Sequence, residues 1–146
     1  MPRVVRTADV VWEGTVARGS GAISAGTGAF SSLPYSLPAR VGAPEGKTSP
    51  EELLAAAHAG CFTMSLAGEL TKADTPPGRL DVRCTIVMDE VEGQGHQIVG
   101  SRVAVDATVD GVDDAELDRL LERADLECPF SALLKRAGAE VSVSRA

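Results

Sequence analysis

Three cysteines, two histidines and a scattered set of arginines carry most of the chemistry available to this 146-residue chain. A thiolate is a nucleophile, a metal ligand and a redox centre, whereas a neutral buried thiol is a small hydrophobe. Cys61 lies in the uncharged segment Ala55-Ala56-Ala57-His58-Ala59-Gly60-Cys61-Phe62. Burial there raises the thiol pKa unless a cation reaches it. Arginine suits that role better than lysine, because its planar guanidinium holds two acceptor atoms at once. Arg40, in a proline-rich stretch upstream, and Arg18, in the first glycine-rich turn, are the candidates; either is otherwise a solvated surface charge. Cys128 precedes Pro129-Phe130 and so stands at a helix start, where the dipole lowers a thiol pKa. Asp125 and Glu127 beside it oppose that effect. Taken alone, this physics nominates Cys128 as the nucleophile and leaves Cys61 more simply a small buried hydrophobe. Cys84 alternates with Val82 and Ile86 and reads as core.

Other arrangements are weaker. His58 and Cys61 are one helical turn apart, which admits a Cys-His pair, although a core histidine is the simpler reading. His58, Cys61 and Cys128 could be drawn as zinc ligands, but without CxxC spacing. Gly19-Ser20-Gly21 and Gly26-Thr27-Gly28 lack the third glycine of a dinucleotide loop, and no Walker loop or HExxH helix occurs. Ser131 and Lys135 are one residue too far apart for an SxxK pair. No metal and no organic cofactor is expected.

The elements that must position these groups alternate between strand and helix signals. Val10-Val11-Trp12, Thr15-Val16 and Ala22-Ile23-Ser24, separated by glycine-rich turns, predict an N-terminal antiparallel meander. Pro34 to Lys47, with three prolines and two glycines, predicts an ordered loop. Ser49-Pro50-Glu51-Glu52 combines an N-cap, a proline at the first helical position and a capping-box glutamate, so a helix runs from Leu53 to about Leu70. Its middle is apolar on every face, which implies burial between sheets or at a subunit interface. Leu80–Val91 and Gln97–Val109 form a hairpin about Glu92-Gly93-Gln94-Gly95. Asp113-Asp114 caps a helix, Pro129 restarts a shorter one with Cys128 as its N-cap, and Ala139–Ser144 closes as a strand. The order β-β-β-α-β-β-α-α-β predicts a single α+β domain over residues 1–146, with mostly antiparallel sheets around a buried helix.

Composition narrows the function classes. The formal net charge is −7 and no basic run occurs, which argues against nucleic acid and against an anionic membrane surface. The N-terminal residues form no apolar signal region, and the run Leu53–Gly68 is short and interrupted by His58, Thr63 and Ser65, so a cytoplasmic location is expected. Cysteines in that compartment are either inert or engaged in thiol chemistry rather than in a static disulfide framework.

The segment from Thr48 through Cys61 to Ser65 closely resembles the signature helix of the OsmC/Ohr family, the osmotically inducible and organic-hydroperoxide-resistance proteins. Glu127-Cys128-Pro129-Phe130-Ser131 resembles that family's second cysteine segment, and Pro34-Tyr35-Ser36-Leu37-Pro38-Ala39-Arg40 its OsmC branch. The resemblance spans nearly the whole chain. It implies an OsmC-like fold and a thiol peroxidase for organic hydroperoxides, with Cys61 as nucleophile and Cys128 as resolving thiol. It also implies Arg40 as the activating arginine, with Arg18 as second choice, and Glu51 as the carboxylate that orients it. The implied reductant is a dithiol of the lipoyl type. Glu51 and Cys61 lie ten residues apart on one helix, roughly 15 Å along its axis. An intertwined homodimer with antiparallel helices would instead set Glu51 and Arg40 of one copy beside Cys61 of the other, with active sites at the subunit interface. Leu54, Phe62, Met64 and Phe130 are expected to line an apolar pocket favouring alkyl or lipid hydroperoxides. The competing expectation is a non-catalytic dimeric binding or stress protein of the same fold, with buried structural cysteines.

Overall fold

A computed structural model describes residues 2–146. The chain forms two compact units, the first ending at Pro50 and the second spanning Glu51–Ala146.

The first unit is an antiparallel sheet in the order β1-β2-β3, with β1 at Ala8–Glu13, β2 at Ser20–Ala25 and β3 at Leu33–Tyr35. Its register sets Trp12 opposite Gly21 and Gly21 opposite Tyr35. The Trp12 and Tyr35 rings meet edge to face, with centroids 5.4 Å apart. A Cβ on Gly21 would come within 2.3 Å of the Tyr35 ring and 2.7 Å of the Trp12 ring, so only glycine fits between them. A turn occupies residues 26–30, and the third strand follows it. The expected loop also holds a one-turn helix, α1, at Leu37–Val41. Ser36 caps it by accepting the Ala39 N–H at 3.3 Å, and Pro38 fits the first turn, where no N–H is needed.

The second unit opens on helix α2, Pro50–Lys72, followed by the long hairpin β4 (Arg79–Val91) and β5 (Gly95–Thr108). A register shift at Val87/Met88 marks a bulge in that hairpin. Helix α3 spans Asp114–Glu127, capped by Asp113, whose carboxylate accepts the Glu116 N–H at 2.8 Å. Helix α4 spans Pro129–Arg136, and β6, at Glu140–Arg145, pairs with β5 in parallel. That pairing is the parallel exception in a mostly antiparallel arrangement: α3 and α4 together form a crossover long enough to return the chain in the same direction. The core gathers Phe62, Leu66 and Leu70 from α2, Val103 and Val105 from β5, and Leu120, Leu121 and Ala124 from α3.

Helix α2 is longer than the Leu53–Gly68 run, and by length and apolar content alone it would reach across a bilayer. Its use here is different. His58, Phe62, Leu66, Glu69 and Leu70 are buried against the unit's own core, and Glu69 is held by Lys72 and Arg123, each at 3.0 Å. Burial on all sides does not occur within one chain. The stripe Glu52, Ala56, Gly60 and Met64, repeating every four residues, is exposed.

Candidate active site

Cys128 is the single residue between α3 and α4. It ends one helix and caps the next, its sulfur accepting the Ser131 N–H at 3.5 Å. Pro129 follows because the first helical position needs no donor. Cys128 is fully buried, while Cys61, on the facing side of α2, is half-buried. Cys61 packs against the core cluster that contains Cys128, and its thiol is influenced by the Cys128 side chain and by the Phe130 backbone. Burial pushes the Cys61 thiol above its ordinary value; the Cys128 thiol adds to that, and the Phe130 N–H partly offsets it. The structure therefore brings together the two cysteines that the sequence singled out, in surroundings that shift Cys61 toward its protonated form.

Glu51 is in the first turn of α2. Because that helix is unbroken to Lys72, Glu51 stands roughly 15 Å along the axis from Cys61 of its own chain. Arg40 occupies the last turn of α1 and, with Trp12, Val16, Tyr35, Ser36 and Leu37, lines a cavity of about 200 Å³ within the first unit. Arg18 sits in the turn between β1 and β2, its backbone N–H donating to Thr15 Oγ1 at 3.2 Å. The expected pocket of Leu54, Phe62, Met64 and Phe130 is corrected: Phe62 is wholly inside the core, whereas Met64 is 78% exposed. An apolar wall beside a cationic group is formed instead by Trp12, Tyr35 and Leu37 around Arg40.

Sequence reasoning missed a buried polar cluster next to the cysteines. His58 Nδ1 is 2.6 Å from Ser101 Oγ, and Nε2 is 2.8 Å from Ser131 Oγ. All three residues are fully buried. Cys84 Sγ lies 3.2 Å from Ser101 Oγ and 3.7 Å from His58 Nδ1, so this cysteine also meets polar neighbours. Desolvation lowers the His58 pKa, with Asp125 opposing and Lys135 reinforcing that shift. A neutral imidazole, one nitrogen donating and one accepting, matches two hydroxyls. With both nitrogens so engaged, His58 is a satisfied core histidine rather than a metal ligand. Among the described residues no group of three or more His, Cys, Asp or Glu side chains is arranged to hold a metal ion. Ser101 did leave a trace in the sequence, as a hydroxyl on the strand face that continues through Val103 and Val105.

Residues 42–144 match the family model of OsmC-like proteins. The chain belongs to the OsmC family. Over 124 residues, 85% of each chain, it is 35% identical to peroxiredoxin OsmC of Escherichia coli. It is 31% identical over 85 residues, 58% of this chain and 57% of the relative, to an organic hydroperoxide resistance protein of Xanthomonas axonopodis. Among solved structures, OhrB of Bacillus subtilis superposes with a TM-score of 0.75 at 24% identity, covering 96% of this chain and 98% of that one. An OsmC-like protein of unknown function from Vibrio cholerae reaches 0.79 at 14% identity, covering 99% and 100%. The α+β order of elements is thus the OsmC fold from end to end.

Proposed function

We propose that this OsmC-family chain is a cysteine-based peroxidase that reduces organic hydroperoxides. The observation that carries the reading is that two thiols, one on α2 and one at the N-terminus of α4, pack into the same core cluster. The Cys61 thiolate attacks the terminal oxygen of the peroxide, the O–O bond breaks, and the leaving alkoxide takes a proton to depart as an alcohol. Cys61 is left as a sulfenic acid. The Cys128 thiol condenses with it, forming the disulfide and releasing water. A dithiol of lipoyl type, acting in the cytoplasm, restores both thiols by two exchange steps and leaves as its own disulfide.

The charge that ionises Cys61 comes in this reading from Arg40, oriented by Glu51. Helical rise separates Glu51 from Cys61 of the same chain, so the pair acts on a second copy in a homodimer with its sites at the subunit interface. The exposed Ala56 and Gly60 of α2 support such packing, because small side chains let another backbone approach. The apolar cavity around Arg40 supports alkyl or lipid hydroperoxides as substrates. Turnover of cumene hydroperoxide with a dithiol reductant tests the reading: Cys61→Ser falls to the uncatalysed background, whereas Cys84→Ser retains turnover. Wild-type turnover no faster than Cys61→Ser would leave the competing reading, a dimeric binding protein with inert cysteines. The upward shift of the Cys61 thiol is the observation that favours that alternative.

A further inference from the structure

The Cys61–Cys128 reading leaves the buried histidine beside them without a part, and the inference below rests on that reading. His58 precedes Cys61 by three residues on α2. One ring nitrogen ends on Ser101 of β5 and the other on Ser131 in the first turn of α4. Ser131 in turn donates its backbone N–H to the Cys128 sulfur. One imidazole thus ties the helix that carries Cys61 to the helix end that carries Cys128, and braces both against the sheet. A core position that only filled space would be met by Leu or Phe. A buried imidazole with both nitrogens engaged adds two directional bonds, each costly to leave unmade.

We infer that His58 is a positioning residue that, through Ser131, holds Cys128 against Cys61 and so sets how readily the two thiols close into a disulfide. It acts on geometry and takes no proton from substrate. Losing the tie frees the first turn of α4, and the effective concentration of Cys128 at Cys61 falls.

The test needs no peroxide. The full chain, carrying Cys84→Ser so that only two thiols remain, is equilibrated with mixtures of oxidised and reduced dithiothreitol. The cyclic disulfide hands its S–S bond to Cys61 and Cys128 and is reduced to the dithiol, and the fraction cross-linked is read by mass spectrometry. Ser131→Ala removes the hydroxyl but keeps the N–H to Cys128, and is expected to lower the disulfide equilibrium constant about ten-fold, the equivalent of one buried hydrogen bond. His58→Gln reads the same tie from its other end and is expected to fall likewise, while Ser131→Thr, which keeps the hydroxyl, restores the wild-type value. Leu66→Val, which loosens the same core without touching the tie, is expected to match wild type. Equal constants in wild type, Ser131→Ala and His58→Gln would overturn the inference, as would an equal fall in Leu66→Val. A wild-type pair that never cross-links at any ratio would overturn the redox reading itself.

Discussion

A thiol packed beside a second thiol and partly withdrawn from water is a poor nucleophile, and Cys61 is in that position. Its ionisation must be driven by a cation whose field outweighs desolvation. If Arg40 supplies it, Arg40→Ala moves the pH dependence of Cys61 alkylation by iodoacetamide to higher pH, because only the thiolate reacts and its formation then needs a more alkaline solution. An unchanged profile would remove Arg40 from the site. At this scale the sequence was informative where the signal was local. Cys128 was legible as an N-cap because Pro129 follows it, whereas Cys61, in an uncharged segment that reads first as core, stood out only through the resemblance of its helix to the OsmC/Ohr signature. The hydroxyls that hold His58 were not, since they lie 43 and 73 residues away along the chain and only the folded sheet and helix bring them in.

Helix α2 organises the second unit: one stripe enters the core and carries His58 into it. Burial depresses the His58 pKa below the ordinary histidine value of 6.5. The unfolded chain therefore binds this proton at a higher pH than the folded one, and the His58 contribution to stability, intact above 6.5, is lost as pH falls through the folded value. Denaturant midpoints should drop between pH 6.5 and the carboxylate range more steeply for wild type than for His58→Gln. Parallel slopes would mean that this ring is not held neutral. The long elements were readable because caps and periodicity are local: Ser49-Pro50 before α2, Asp113 before α3, and alternation along β4 and β5. Two features were not. Helix α1 is a single turn, too short for any periodicity, and its stop and start lie within a proline-rich stretch. The parallel pairing of β6 with β5 depends on how α3 and α4 return the chain, which no local pattern encodes.

At the scale of the molecule, a single chain leaves apolar surface uncovered. Met64 on α2 is open, and so is Val11 on β1, which is 62% exposed. A Cβ at Gly60 would meet nothing within 4 Å in the single chain. Replacing a helical glycine there with leucine should therefore stabilise a monomer by up to ~1 kcal/mol. In a dimer closed over that stripe, Gly60→Leu should instead drive the protein to a monomer in sedimentation and abolish peroxidase turnover. A more stable, fully active protein of unchanged mass would contradict the dimeric site. Peroxidase chemistry in this chain requires two sulfurs acting as one redox pair. Its most direct measurement adds one equivalent of cumene hydroperoxide to the reduced chain, counts the remaining thiols and maps the link by peptide mass spectrometry. The account predicts the loss of two thiols per chain and a Cys61–Cys128 disulfide within one chain. Three thiols surviving, or a link through Cys84, would contradict it.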